Sequence, residues 1–168
     1  ICTQATRDLC KIMLADTAHI QENDLRFINK RRIRKGEKPL KPLYDSTDVI
    51  DTILLMEGID FNKPFTVCEG VELTFTFIGH ILGSGCVNLK ITENNELTRF
   101  CFTGDIGREN GQLLKQPQAF PQADYIITES TYGDRLHDDI KNTEEKLLSV
   151  VRKTCVEKKG KLIIPAFS

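Results

Sequence analysis

The sequence predicts a mixed α/β domain, and three observations carry that prediction. Apolar and polar residues alternate through 71–78, where Val71, Leu73, Phe75 and Phe77 are spaced by Glu72, Thr74 and Thr76; this is the two-residue period of a strand with one buried and one polar face. A second alternating run, Val87, Leu89 and Ile91, is separated from a third at 97–102 by Asn94 and Asn95, which tolerate the positive φ of a two-residue hairpin turn. Helical spacing replaces alternation near both ends, first at Ala5, Leu9, Ile12 and Met13 and last at Leu147, Leu148, Val151 and Cys155.

In chain order, Ile1 and Cys2 read as the tail of a strand, and Thr3 as the cap of the first helix. From Thr17 to about Lys35 the residues turn polar and charged, with Ile20, Leu25 and Ile28 as sparse anchors, which predicts a solvated helix. Lys30, Arg31, Arg32, Arg34, Lys35, Lys38 and Lys41 form the basic cluster of the chain. It reads either as an exposed helix end and linker or as a contact for a phosphate backbone.

Pro39 and Pro42 punctuate the linker, and Asp45 or Ser46 caps a short helix bearing Val49, Ile50, Ile53 and Leu54. Short strands are expected at 65–68 and 125–127, flanking the hairpin region, with an irregular crossing at 109–123 that contains Pro117 and Pro121. Asn142 and Glu145 resemble a capping box before the last helix. Gly160 ends that helix, and 162–164 begins another buried strand.

Composition narrows the class. A chain of 168 residues with 40% hydrophobic residues and a formal charge of −1 describes a soluble globular protein of one domain or parts of two. The charge balance argues against wholesale polyanion binding and leaves local patches open. No apolar run approaches the roughly 20 residues of a spanning helix, and no basic-then-apolar signal pattern opens the chain, so the cytoplasm is the expected location. The six cysteines, at 2, 10, 68, 86, 101 and 155, show no CxxC spacing and fall mostly within apolar patterns, as reduced core cysteines do.

Chemistry concentrates in 79–108. His80 sits in the glycine-flanked loop GHILGSG, and Asp105 in the loop TGDIGR. A tight hairpin between them returns both side chains to one rim of a sheet, and a parallel strand at 125–127 would bring Glu129 to that rim as well. Imidazole and carboxylate suit zinc, although two ligands fill only half of a tetrahedral shell. Each residue has a plainer reading: Asp105 as a turn residue, Glu129 as a cap for the turn at Ser130 and Thr131, and His19 and His137 as surface histidines. Ser84 and Ser130 lack the context of a GxSxG nucleophile elbow. Neither a Walker loop nor a dinucleotide-binding glycine pattern occurs.

In order and spacing, GHILGSG, FTGDIGR, ITESTYGDRLH and KLIIPAF resemble the β-CASP branch of the metallo-β-lactamase superfamily, the RNA- and DNA-processing nucleases. CTQATRDL and KPLY extend the resemblance over essentially the whole chain. It implies the second half of an αββα sandwich at 1–133, and the first helix and strand of a β-CASP domain at 134–168. It also implies that His80 is a ligand of one zinc, that Asp105 bridges two zincs, and that Glu129 hydrogen-bonds a downstream histidine serving as general acid. Ser84 and His137 would lie near substrate. The implied reaction is a two-metal, in-line hydrolysis of single-stranded RNA.

The His-x-His-x-Asp-His motif and the two later β-CASP histidines of that family are not in the sequence. The chain is therefore expected to be an internal fragment that binds zinc weakly and hydrolyses nothing by itself. Its uncovered sheet face is expected to make it unstable, aggregate or form a homodimer. An inactive RNA-processing scaffold, or a thioester or lactone hydrolase on the same fold, is the alternative.

Overall fold

The computed structural model describes residues 1–109, 113–136 and 142–165, and the chain divides into two compact units, 1–129 and 130–168. The fold is mixed α/β.

Unit 1 opens with β1 (Cys2–Thr3) and α1 (Gln4–Arg34). Thr3 is the N-cap, its side chain accepting from the Thr6 N–H at 3.2 Å. Where the sequence predicts a first helix and then a second, solvated one, the structure has a single helix of 31 residues. No Gly or Pro lies between Gln4 and Lys35 to break it. It stops at Gly36, whose φ of 75° is left-handed. There Gly36 N donates to Ile33 O (3.0 Å) and Glu37 N to Arg32 O (3.0 Å), the paired bonds of a Schellman motif.

A helix of that length is about 45 Å long, more than its neighbours cover. Ala18 is its one buried residue, and Ile12 and Met13, expected on a buried face, are exposed. Next come α2 (Ser46–Leu55), entered by a capping box between Asp45 and Asp48, and β2 (Gly58–Ile59), which pairs parallel with β1. Only Val49 of α2 is buried; Ile50 and Leu54 are exposed.

The remaining strands are β3 (Phe65–Cys68), β4 (Val71–Phe77), β5 (Gly85–Glu93), β6 (Glu96–Phe102) and β7 (Tyr125–Ile127). They form one sheet in sequence order, antiparallel except for the parallel pair β6 and β7. Asn94 and Asn95 have φ of 50° and 65° and close the β5–β6 hairpin where Glu93 faces Glu96; two successive positive φ values are what that short turn requires.

The face bearing Glu72, Thr74 and Thr76 is not the open polar face the alternation suggests. Thr76 is buried, accepting from Asn88 Nδ2 at 3.0 Å, and a hydrogen-bonded hydroxyl can be buried at little cost. Beside it Ile78, Cys86 and Cys101 form a core cluster, against which Phe120 and Ala123 of the crossing segment pack. The opposite face carries Leu73 and Phe75, both buried, and continues outward through stacked Phe100, Phe102 and Tyr125.

The described cysteines are all free. Cys86 and Cys101 are fully buried with sulfurs 3.2 Å apart, Cys2 and Cys10 are half-buried, and Cys68 and Cys155 are exposed, so two of the six are core cysteines. Burial first, and then the Cys101 thiol, push the Cys86 thiol up from 9.0 to about 12. The unfolded chain therefore releases this proton before the folded one. Its contribution to stability is intact below pH 9 and declines as pH rises from 9 towards 12. Two outcomes are expected: Ellman's reagent at pH 8 modifies Cys68 and Cys155 rapidly and Cys86 and Cys101 only after denaturant, and Cys86→Ala flattens the alkaline limb of a Tm-against-pH profile. Rapid native labelling at Cys86 would contradict this packing.

In unit 2, α3 (Thr143–Val151) continues into a π-helical turn at Arg152–Glu157, closed by Gly160 N donating to Thr154 O at 2.8 Å. Asn142 precedes α3 in a left-handed conformation with no side-chain cap, so the expected capping box does not form. Residues 162–164 are not a strand, and Ile163 and Ile164 are exposed. A three-residue apolar run becomes a strand only against a partner, and no strand is described in this unit.

Candidate metal centre

Strand polarity gathers the candidate residues on one edge of the sheet. Phe77 at the end of β4 faces Gly85 at the start of β5, so the loop 78–84 with His80 caps that edge. Val87 faces Phe102, which brings β6 back to the same edge and delivers the loop with Asp105. The parallel register Phe102 to Ile127 brings β7 there too, and Glu129 follows two residues later. Thr103 N donates to Ile127 O at 3.0 Å, extending the ladder to the base of the Asp105 loop.

Main-chain and side-chain hydrogen bonds together build the edge. Gly107 N donates to Ile78 O at 3.0 Å, fastening the Asp105 loop to the His80 loop, and the approach is so close that a Cβ on Gly107 would run into Gly79 O and His80 N. Glu129 Oε1 accepts from the Ile106 N–H at 2.6 Å, holding the residue next to Asp105. Ser84 turns its hydroxyl into its own loop: Oγ donates to Ile81 O (2.8 Å) and accepts from the N–H groups of His80 and Ile81 (both 3.1 Å). From the other side Thr3 and Thr6, at the start of α1, donate to Gly83 O at 2.8 and 3.1 Å.

On this frame His80 Nε2 lies 3.6 Å from Asp105 Oδ2, with the side chains 42% and 69% exposed. The separation is too long for a hydrogen bond. It is close to the roughly 3.4 Å between two atoms that each bind one tetrahedral zinc at about 2.1 Å, so the pair fits two positions of a metal shell. Among the described residues no group of three or more His, Cys, Asp or Glu gathers to hold a metal.

No family model matches the chain. It is 33% identical over 127 residues to the endoribonuclease YSH1 of Kluyveromyces lactis, covering 75% of the chain and 16% of that protein. It is 32% and 30% identical, each over 171 residues, to the transcription termination factors FttA of Methanocaldococcus jannaschii and Methanococcus maripaludis; these matches cover 99% of the chain and 24% of either relative. The chain belongs to the β-CASP branch of the metallo-β-lactamase superfamily. It spans a quarter or less of the length of these relatives.

Within this β-CASP chain the structure brings three of the five candidate residues to one edge, His80, Asp105 and Glu129, and places Ser84 in the His80 loop with its hydroxyl engaged there. His137 lies outside the described residues. Sequence reasoning missed Gly107 and the two threonines. The threonines left a signal in the spacing Thr3-x-x-Thr6 at a helix start; the contact of Gly107 with another loop left none.

Proposed function

We propose that the protein is a metal-dependent ribonuclease that hydrolyses single-stranded RNA, with His80 a ligand of one zinc and Asp105 shared between two. The observation that carries this reading is the 3.6 Å approach of an exposed imidazole and an exposed carboxylate, held on one sheet edge by main-chain hydrogen bonds. The substrate comes from the relatives, one named an endoribonuclease and others transcription termination factors. Bound zinc would supply Lewis-acid polarisation of a phosphoryl oxygen and a water acidic enough to act as nucleophile near neutral pH.

The chain's own residues do the positioning. Glu129 fixes the Asp105 loop through the Ile106 N–H, Gly107 ties that loop to Ile78 at the base of the His80 loop, and Ser84 shapes the turn on which His80 stands. Two ligands are half of a tetrahedral shell, so the 168-residue chain alone would bind zinc weakly and cut nothing. The αββα arrangement, with a metallo-β-lactamase part at 1–133 and the start of a β-CASP domain at 134–168, belongs to the same proposal. Among the described residues no helix is long and apolar enough to cross a bilayer.

The test is an assay of the natural full-length protein containing this chain, on labelled single-stranded RNA and on a panel of thioesters and lactones. Chelator-sensitive RNA cleavage with no turnover of the panel is expected. Thioester turnover without RNA cleavage would overturn the reading, and RNA bound but never cut would point to a scaffold.

A further inference from the structure

Helix α1 carries its charge at one end. Eight of the 23 Lys and Arg residues fall in 26–41 with a single acid, Glu37, leaving 15 basic against 23 acidic residues in the rest of the chain. A protein of formal charge −1 thus has a local excess of seven positive charges against eight negative ones elsewhere.

The segment after the helix is clamped, not slack. Asn29 holds Leu40 by two bonds, Nδ2 to Leu40 O (2.8 Å) and Oδ1 from Leu40 N (2.7 Å). Arg32 Nε donates to Lys38 O (2.9 Å), Arg32 pairs with Glu37 (2.9 Å), and Leu43 N donates to Gln21 Oε1 (3.2 Å). The chain therefore runs back along α1, bringing Lys38 and Lys41 against the turns that carry Lys30, Arg31 and Arg34. The one acid in the region is occupied by Arg32, while Lys30, Arg31, Arg34, Lys38 and Lys41 remain exposed. Phe27, 75% exposed, lies four and seven residues before Arg31 and Arg34, on the same helix face.

Complementing the helix dipole accounts for bases in the last turn, here Arg31, Arg32 and Arg34. It does not account for Lys38 and Lys41, which lie beyond the helix, nor for an aromatic ring in water. An aromatic platform beside a basic groove is the arrangement that binds single strands, the ring stacking a base and the cations following the phosphates.

We propose that the C-terminal end of α1, with the segment folded back on it, is a docking surface for single-stranded RNA. Phe27 stacks a base, and Lys30, Arg31, Arg34, Lys38 and Lys41 contact phosphates. The proposal takes its ligand from the ribonuclease reading above. The far end of α1 is anchored on the His80 loop through Thr3 and Thr6, so this surface stands about 40 Å from the metal centre. It acts on long RNA and not on oligonucleotides too short to span that distance.

Fluorescence anisotropy with labelled oligouridylate tests this on the full-length protein, with zinc withheld and potassium chloride varied. The triple variant Lys30→Glu, Arg31→Glu, Arg34→Glu should weaken binding of long RNA more than tenfold and lower the slope of log affinity against log salt by about 2. Phe27→Ala should weaken it about tenfold with the slope unchanged. Lys38→Glu with Lys41→Glu, outside the helix, repeats the charge effect where the helical variant fails to fold. Unchanged affinity in folded variants of both kinds overturns the surface, including the case in which they lose a protein partner instead. If RNA is cut normally while affinity is unchanged, only the surface fails; if the variants lose affinity in a protein that never cuts RNA, the surface stands and the nuclease reading fails.

Discussion

Asp105→Asn should abolish RNA cleavage while leaving the fold almost untouched. The carboxylate is 69% exposed and its contact with His80 is 3.6 Å, so its charge contributes little to stability; exposed pairs are worth about 0–1 kcal/mol. Tm should move by no more than about 2–4 °C, the shift for 1 kcal/mol in a domain of this size. Activity is another matter. Losing a partner that only orients a metal ligand typically costs about 10–100-fold, so if Asp105 is shared between two ions, as proposed above, its loss should exceed about 100-fold. His80→Ala should do the same, and the double variant should be scarcely worse than either single one, since residues that act as a unit are not additive. Zinc content measured after gel filtration should fall with activity. Cleavage within threefold of the parent protein would remove Asp105 from the centre.

What the sequence revealed about this site, and what it hid, divides along a physical line. The β5–β6 hairpin was legible because its determinants are local: a two-residue period on either side of Asn94-Asn95, and a turn that needs positive φ twice. Once that hairpin is granted, the meeting of His80 and Asp105 on one edge follows from strand polarity alone. Glu129 joined them on the condition of a parallel β7, which the register of Phe102 with Ile127 satisfies.

Properties set by what lies above a surface were not legible. The burial of Thr76 and Asn88 depends on a crossing segment with no period of its own. Ile12 and Met13 are exposed although they lie between the anchored start of α1 and the buried Ala18; apolar spacing records a face without saying whether anything covers it. The merging of two expected helices into one is a boundary error of a familiar kind: polarity changed at Thr17, but no residue there could stop a helix. For 162–164 the apolar run is real, but among the described residues of unit 2 no strand pairs with it.

Gly107→Ala should be nearly as damaging as loss of Asp105, although it removes no functional group. A Cβ at this position would overlap both Gly79 O and His80 N. Both are main-chain atoms of the opposing loop, so no side chain can swing aside and the loops must separate. The bond from Gly107 N to Ile78 O then lengthens, and His80 leaves Asp105. A displacement of about 1 Å at a reacting centre can cost about 10²-fold, the expected loss of cleavage here. Gly104→Ala provides the internal comparison. Gly104 is left-handed, with φ of 60° and open space around its Cβ position, so alanine there brings only backbone strain of about 1–2 kcal/mol. A lowered Tm with activity largely kept for Gly104→Ala, against activity lost for Gly107→Ala at comparable Tm, would show that the close approach of the two loops sets the geometry of the centre. Equal activity in both variants would mean that the loops find their positions without it.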